Sequence, residues 1–216
     1  DLVTLDYGAG PAGSRADRYA GRDARLWFSV DGDGDGVRAI VPDSPAVDVA
    51  PRAPARVVLL GPSTASPGDL LRFHVSALDE WANRAPEVDG ETWRGSVGLE
   101  VLGPLSERTP CPETVELDEH GFAVFEVTAP SPQVPRALRL RATLTLPDGT
   151  STTSVSNPTL VDPVAPRILW ADLHGHTGRS DGTGAVEDYF RYARDTARLD
   201  VLALTDHDHF GPRFLD

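Results

Sequence analysis

The sequence predicts a mostly β protein that ends in a β-α-β unit. Three observations predict this. Apolar and polar residues alternate through the middle of the chain, most cleanly at Leu138, Leu140, Ala142, Leu144 and Leu146 against Arg139, Arg141, Thr143 and Thr145. A period of two puts one face of a strand in a core and the other in water. Turn-forming Pro, Gly and Asp clusters recur about every 10 to 20 residues, which suits short strands better than long helices. Beyond Pro166 the pattern changes to strand, loop, amphipathic helix and strand, with histidines at both strand ends.

Composition narrows the possible functions. The chain has 216 residues, 40% of them hydrophobic, and a formal net charge of −13. That apolar content sustains a real core. An anionic surface argues against nucleic acid and against an anionic membrane surface as partners. No apolar run approaches the about 18 residues of a membrane-crossing helix, and no signal peptide is visible. The sequence has no Met and begins at Asp1, so it reads as a processed or excised piece whose leader could have been lost. Cytoplasm and periplasm both stay open as locations. Cys111 is the single cysteine, so no internal disulfide can form. Every basic residue is Arg, read here as a compositional bias of the source.

Residues 1–54 are rich in Gly, Pro, Asp and Ala. Two apolar pieces, Leu26 to Val30 and Val37 to Val41, flank Asp31-Gly-Asp-Gly-Asp-Gly36. The acidic run resembles the first half of an EF-hand loop. The twelfth position is Pro42, where a bidentate Glu is needed, so the expected structure is a Gly/Asp turn in a hairpin without tight calcium binding.

Residues 55–160 carry the strand signals. Val57 to Leu60 is a short strand, and Pro67-Gly68 a turn. Leu71, Phe73, Val75 and Ala77 alternate with polar neighbours, and Val97 to Leu102 follows. Val115 and Leu117 lead into a turn at Asp118 to Gly121, and Phe122 to Val127 returns. The strand from Leu138 to Leu146 turns back at Pro147-Asp-Gly149 toward Thr152 to Val155. About six or seven short strands with such turns predict an immunoglobulin-like β-sandwich. Residues 161–167, with Asp162-Pro163 and Pro166, read as a Pro-rich linker. The stretch 168–216 beyond it is expected to be marginally folded in isolation, with the chain cut first after about Pro166.

Ile168 to His174 reads as a strand that places Trp170, Asp172, His174 and His176 on one face and Leu169, Ala171 and Leu173 on the other. The apolar face suits a helix layer over a parallel sheet. The imidazoles then sit at the strand's C-terminal end, where barrel enzymes build their sites. Asp172, just below, is placed to hold a ligand's ring. The loop Thr177 to Gly182 carries Asp181, and its glycines let the backbone bring that carboxylate over the strand end. A helix starts at Thr183 or Gly184 and continues to about Arg198, with Val186, Tyr189, Phe190, Ala193 and Ala197 at helical spacing. Val201 to Thr205 is the next strand, and it carries His207 to the same rim. Imidazoles with a carboxylate suit Zn²⁺, Mn²⁺ or Fe²⁺ better than Mg²⁺. His174, His176, Asp181 and His207 are therefore the candidate metal ligands. His209 is read as a loop residue outside the ligand set. Asp206 points away from the rim and is expected to bond local backbone. Arg179 either meets an anionic substrate or faces water. His74 and His120 read as surface or capping residues.

These residues resemble the PHP family, the polymerase and histidinol phosphatase domain. Asp172-Leu-His-Gly-His-Thr177 with Ser180-Asp-Gly182 is similar to its first motif, and Leu204-Thr-Asp-His207 to its second. The resemblance covers the sequence from Ile168 onward. It implies a distorted (β/α)7 barrel with up to three metal ions and hydrolysis of a phosphate ester by a metal-activated water. It also implies that His174 and His176 sit on one metal and that Asp181 and His207 sit on another. The family's bridging Glu, later histidines and final Asp-x-His have no counterparts by Asp216. The stretch is accordingly expected to be the start of a PHP barrel and inactive by itself. A β domain before a PHP domain is similar to the arrangement in bacterial proteins. The rival expectation is a β-sandwich binding module for a glycan or protein, followed by an inert tail.

Overall fold

The computed structural model describes residues 4–88 and 90–208. His209 lies outside the described residues. The architecture is dominated by strands, as the alternation predicts.

The N-terminal segment forms two nested ribbons. Strands β1 (Gly21–Arg25) and β4 (Ala46–Val49) pair antiparallel, and between them β2 (Ser29–Val30) pairs with β3 (Ala39–Ile40). The inner pair is the hairpin expected around the acidic turn. Its carboxylates bond the turn's own backbone: Asp31 accepts the N–H groups of Gly34 at 2.7 Å and Gly36 at 3.0 Å, and Asp35 accepts that of Val37 at 2.7 Å.

The middle of the chain builds two sheets over one core. One is antiparallel, with β7 (Leu70–Leu78) between β5 (Arg56–Leu60) and β12 (Phe122–Thr128). The other is centred on β13 (Arg136–Thr145). On one side of β13 lies β10 (Ser96–Leu102), followed by β11 (Thr114–Glu116). On the other side β14 (Ser151–Val155) and β15 (Thr159–Val161) share its length. A parallel partner of β15, β6 (Thr64–Ala65), closes that edge. A short ribbon of β8 (Glu87–Val88) and β9 (Glu91–Thr92) lies apart.

The core follows the predicted parity. Leu138, Leu140, Ala142 and Leu144 of β13 are fully buried, as are Phe73, Val75 and Ala77 of β7. Phe73 stacks on Phe125 with ring centroids 5.6 Å apart. Burying an aliphatic or aromatic side chain of this size contributes about 1.5–3 kcal/mol, so these rows dominate the stability of the two sheets.

Two details differ from the expectation. The turn at Asp118 to Gly121 forms, with Gly121 N–H donating to Asp118 O at 3.0 Å, but it makes no hairpin. β11 pairs with β10 and β12 with β7, so this turn carries the chain from one sheet to the other. The linker also begins later than 161. Val161 is fully buried and pairs with Ala65, and Asp162 N–H donates to Ala65 O at 2.9 Å. The ladder extends there because the side chain at 161 fills the core.

The C-terminal unit is a β-α-β crossover in miniature. β16 (Ala171–Asp172) and β17 (Val201–Leu202) pair parallel, as expected, but over two residues each. Irregular bonds continue the contact, from Ala203 N–H to Asp172 O at 2.9 Å and from Thr205 N–H to Gly175 O at 2.8 Å. The connecting helix is shorter than predicted: α1 spans Val186–Arg191, and Tyr192–Thr196 continue it as a π-helical turn. Such a turn widens the backbone spacing by one residue, and here Ala193, Asp195 and Thr196 of that turn are buried. No helix among the described residues is long and apolar enough to cross a membrane.

The unit packs on the sheets rather than hanging from the connector. Trp170 donates its indole N–H to Ser63 Oγ at 2.8 Å, and Ile168 N–H donates to Thr64 Oγ1 at 3.0 Å. Tyr192 donates its hydroxyl to Ala82 O at 3.2 Å. The Asp195 carboxylate lies 3.5 Å from the Arg84 guanidinium, with both side chains nearly buried. His74, expected at the surface, is half-buried at this seam, with Nδ1 3.3 Å from Asp195 O.

Candidate metal centre

The end of β16 and the loop after it determine where the candidate ligands lie. His176 leaves the strand end half-buried, and the loop from Thr177 folds back so that Asp181 reaches its ring. His176 Nδ1 and Asp181 Oδ1 are 2.6 Å apart. The other carboxylate oxygen, Oδ2, lies 3.7 Å from His207 Nε2 beyond β17. One carboxylate thus spans two imidazoles that come from the two parallel strand ends. Ligand atoms of His176, Asp181 and His207 all fall within 4.8 Å of one another. His174 stands beside this group, its ring centroid 4.9 Å from that of His176, but its ligand atoms lie outside that distance.

Two glycines permit this geometry. A β-carbon at Gly182 would stand 2.5 Å from the His176 backbone carbonyl, and one at Gly175 would stand 1.8 Å from the Tyr189 hydroxyl. Neither separation is possible for real atoms. The loop can therefore close over His176 only where position 182 carries no side chain, whereas a side chain at 175 would displace the Tyr189 ring.

The loop is tied down from the second strand. Asp206 accepts the backbone N–H of Thr177 at 2.7 Å, the Thr177 hydroxyl at 2.6 Å and the Ser180 hydroxyl at 2.6 Å. Burial pushes the Asp206 carboxyl up, but the Ser180 and Thr177 bonds outweigh it and hold the group below the usual carboxylate range. Partial desolvation likewise raises Asp181, and the His176 bond with the nearby imidazoles brings it below that range. Both carboxylates are accordingly charged at neutral pH.

The donor set fits a borderline divalent cation. Two imidazoles and a carboxylate are the ligands that Zn²⁺, Mn²⁺ and Fe²⁺ accept. His176 Nε2 is buried and has no hydrogen-bond partner. A buried nitrogen left without a partner costs free energy, and a bound ion would remove that cost.

Of the residues expected in the site, His176, Asp181 and His207 come together and His174 adjoins them. Asp172 does not support a ring. It is exposed, and its carboxylate accepts the His174 backbone N–H at 3.2 Å just beyond the end of β16. Asp206 bonds backbone as expected, but that of Thr177, 29 residues away, and it also takes two hydroxyls. His120 is exposed in the turn with Asp118. No family model matches the chain, and no curated protein matches it.

Proposed function

We propose that the C-terminal β-α-β unit belongs to a PHP-type, metal-dependent phosphoesterase and that the two sheets before it form an immunoglobulin-like sandwich supporting it. The observation that carries this reading is the convergence of His176, Asp181 and His207 within 4.8 Å, with Nε2 of His176 itself buried and unpartnered. These three residues would hold the first ion, and His174 stands close enough to serve a second. A bound Zn²⁺, Mn²⁺ or Fe²⁺ supplies Lewis-acid polarisation of a phosphoryl oxygen and a water of lowered pKa. The chain's own part is to fix the ligands: Asp181 holds the His176 ring and faces His207 at 3.7 Å, and Asp206 holds the loop that presents Asp181. The packing of the unit on β6 and β7 argues against an inert tail.

Metal analysis of the purified chain, with phosphate titrations, tests the proposal. The expected result is one tightly held ion per chain, lost in His176→Ala and in His207→Ala. Inorganic phosphate should bind the metal-loaded protein more tightly than the metal-free protein. Equal metal content in wild type and both variants, or phosphate binding indifferent to metal, would overturn it.

A further inference from the structure

The parallel ladder of β16 and β17 ends at the pair Asp172 and Leu202. The candidate ligands lie beyond it, so bonds outside the ladder must set them against one another. His176 directly follows Gly175, and His207 stands two residues after Thr205. Gly175 and Thr205 are bonded three times. The Thr205 N–H donates to Gly175 O at 2.8 Å. The Gly175 N–H donates to Thr205 Oγ1 at 3.2 Å, and the Thr205 hydroxyl donates to Gly175 O at 3.3 Å. A hydroxyl can accept and donate at once, and here it takes up both backbone polar groups of one residue.

Tyr189 of α1 meets the same glycine. A β-carbon at position 175 would stand 1.8 Å from the phenol oxygen, and that hydroxyl donates to Ala203 O at 3.4 Å, on the strand end that leads to Thr205. Gly175 is thus held by a side chain from the second strand and packed by one from the helix. It separates two histidines with different surroundings. The His176 side chain is mostly buried, with its ring centroid 4.5 Å from that of His207. His174 is exposed, and its ligand atoms fall outside the group. Glycine has the widest choice of backbone conformations. In a His-Gly-His sequence the two rings therefore have no fixed order unless the glycine is held.

We infer that Thr205 is a positioning residue of the metal centre. Its hydroxyl, with the Tyr189 phenol against the same glycine, holds Gly175 so that His176 rather than His174 meets Asp181 and His207. Thr205 acts through the backbone, not as a ligand. The inference rests on the reading of these residues as metal ligands.

Cobalt(II) titration of the whole chain, read by visible absorption, tests this together with NMR of the metal-free protein. Wild type should bind cobalt and should show nuclear Overhauser contacts between the rings of His176 and His207. Thr205→Val and Thr205→Ala both remove the hydroxyl, the second without a methyl group in its place. Each should weaken cobalt binding about tenfold, shift the ligand-field bands and lose the contacts between the two rings. Thr205→Ser keeps the hydroxyl and should restore all three. Thr128→Val, at the exposed end of β12, should change none of them. Thermal unfolding identifies the variants that are folded. Wild-type affinity, bands and ring contacts in a folded variant without the hydroxyl would overturn the inference, as would losses that Thr205→Ser fails to restore. Absence of cobalt binding by wild type would overturn the metal reading, and the ring contacts then decide alone. Their loss in Thr205→Val with recovery in Thr205→Ser supports the positioning role, and their persistence overturns it.

Discussion

Asp206 and Thr177 are joined twice, through the Thr177 backbone N–H at 2.7 Å and its hydroxyl at 2.6 Å. Thr177 is fully buried. Replacing Asp206 by Ala leaves both donors without their acceptor, and a buried unpaired group costs about 1–3 kcal/mol. Asp206→Ala should lower unfolding stability by that amount and weaken zinc binding about tenfold. Asp206→Asn keeps one acceptor and should recover part of both. Urea unfolding and zinc titration check this. Unaltered zinc affinity in a folded Asp206→Ala protein would mean that the loop holds its shape without the clamp.

The same loop depends on what Gly182 lacks. An alanine there would place its β-carbon 2.5 Å from the His176 backbone. The loop must move, carrying Asp181 away from His176. Gly182→Ala should destabilise the chain by about 1–3 kcal/mol, the range for overpacked sites, and should lower metal affinity. Gly149→Ala, in a solvent-facing hairpin turn, should cost stability without changing metal affinity. Equal metal affinity in both variants would remove the role given to Gly182.

The histidines should rank by their place in the group. His176 and His207 lie with Asp181 within 4.8 Å, whereas His174 does not. His176→Ala and His207→Ala should each remove the first ion, as read by elemental analysis. His174→Ala should leave the first ion bound and reduce only further loading. Loss of the first ion in His174→Ala would show that the imidazoles of the His-x-His pair act together.

Much of this was legible in the sequence because the period of two survives wherever a strand has one wet face. Leu138 to Leu144 alternate in burial as that period requires, and so do Leu71 to Val75 more loosely, whereas Ser76 of the polar row is buried beside Val75 and Ala77. The grouping of His176, Asp181 and His207 was legible for a different reason: two short parallel strands place the residues after them at a common end, whatever lies between. What stayed hidden depends on partners distant in sequence. Nothing near Asp118 indicates that its turn leads from one sheet to another. Nothing near Asp195 indicates that Arg84 awaits it, or that the helix widens into a π-turn there. Val161 reads as linker because prolines surround it, yet its side chain is buried in the core and its backbone pairs with β6.

The acidic turn should not act as a calcium sensor. Asp31, Asp33 and Asp35 are close enough to share an ion. Their oxygens, however, accept the turn's own N–H groups, and Pro42 stands where the closing ligand would be. The calcium dissociation constant should be weaker than about 10 μM, outside the sensor range. Calorimetry showing tighter binding, lost in Asp31→Asn, would refute this.

Acid should loosen the C-terminal unit in two stages. Burial lowers the pKa of His74 below its ordinary value; the bond to the Asp195 carbonyl opposes this without overcoming it. The groups facing His74 are Arg198 and Arg72, which push it down, and the Asp195 carboxylate, which pushes it up. Neutral His74 is therefore the form the fold prefers. Above about pH 6.5, folded and unfolded chains both carry it neutral. As pH falls through that value the unfolded chain takes up the proton first, so stability declines until the lower folded pKa is reached. Asp195 acts in a lower window. Burial raises its carboxyl, but the Arg194 bond and the charge of Arg84 outweigh burial and hold it below the usual range. Its contribution is present above about pH 3.9 and is lost as pH falls toward its folded pKa. Urea unfolding across this range, followed by hydrogen exchange of residues 186–196, should show a decline beginning near pH 6.5 and a second below about pH 4. His74→Gln should abolish the first decline and keep the second. Arg84→Gln, by removing a partner of Asp195, should shrink the second. An undiminished first decline in His74→Gln would place its origin elsewhere, and protection of residues 186–196 that ignores pH would mean that the seam on β7 is not what holds the unit in place.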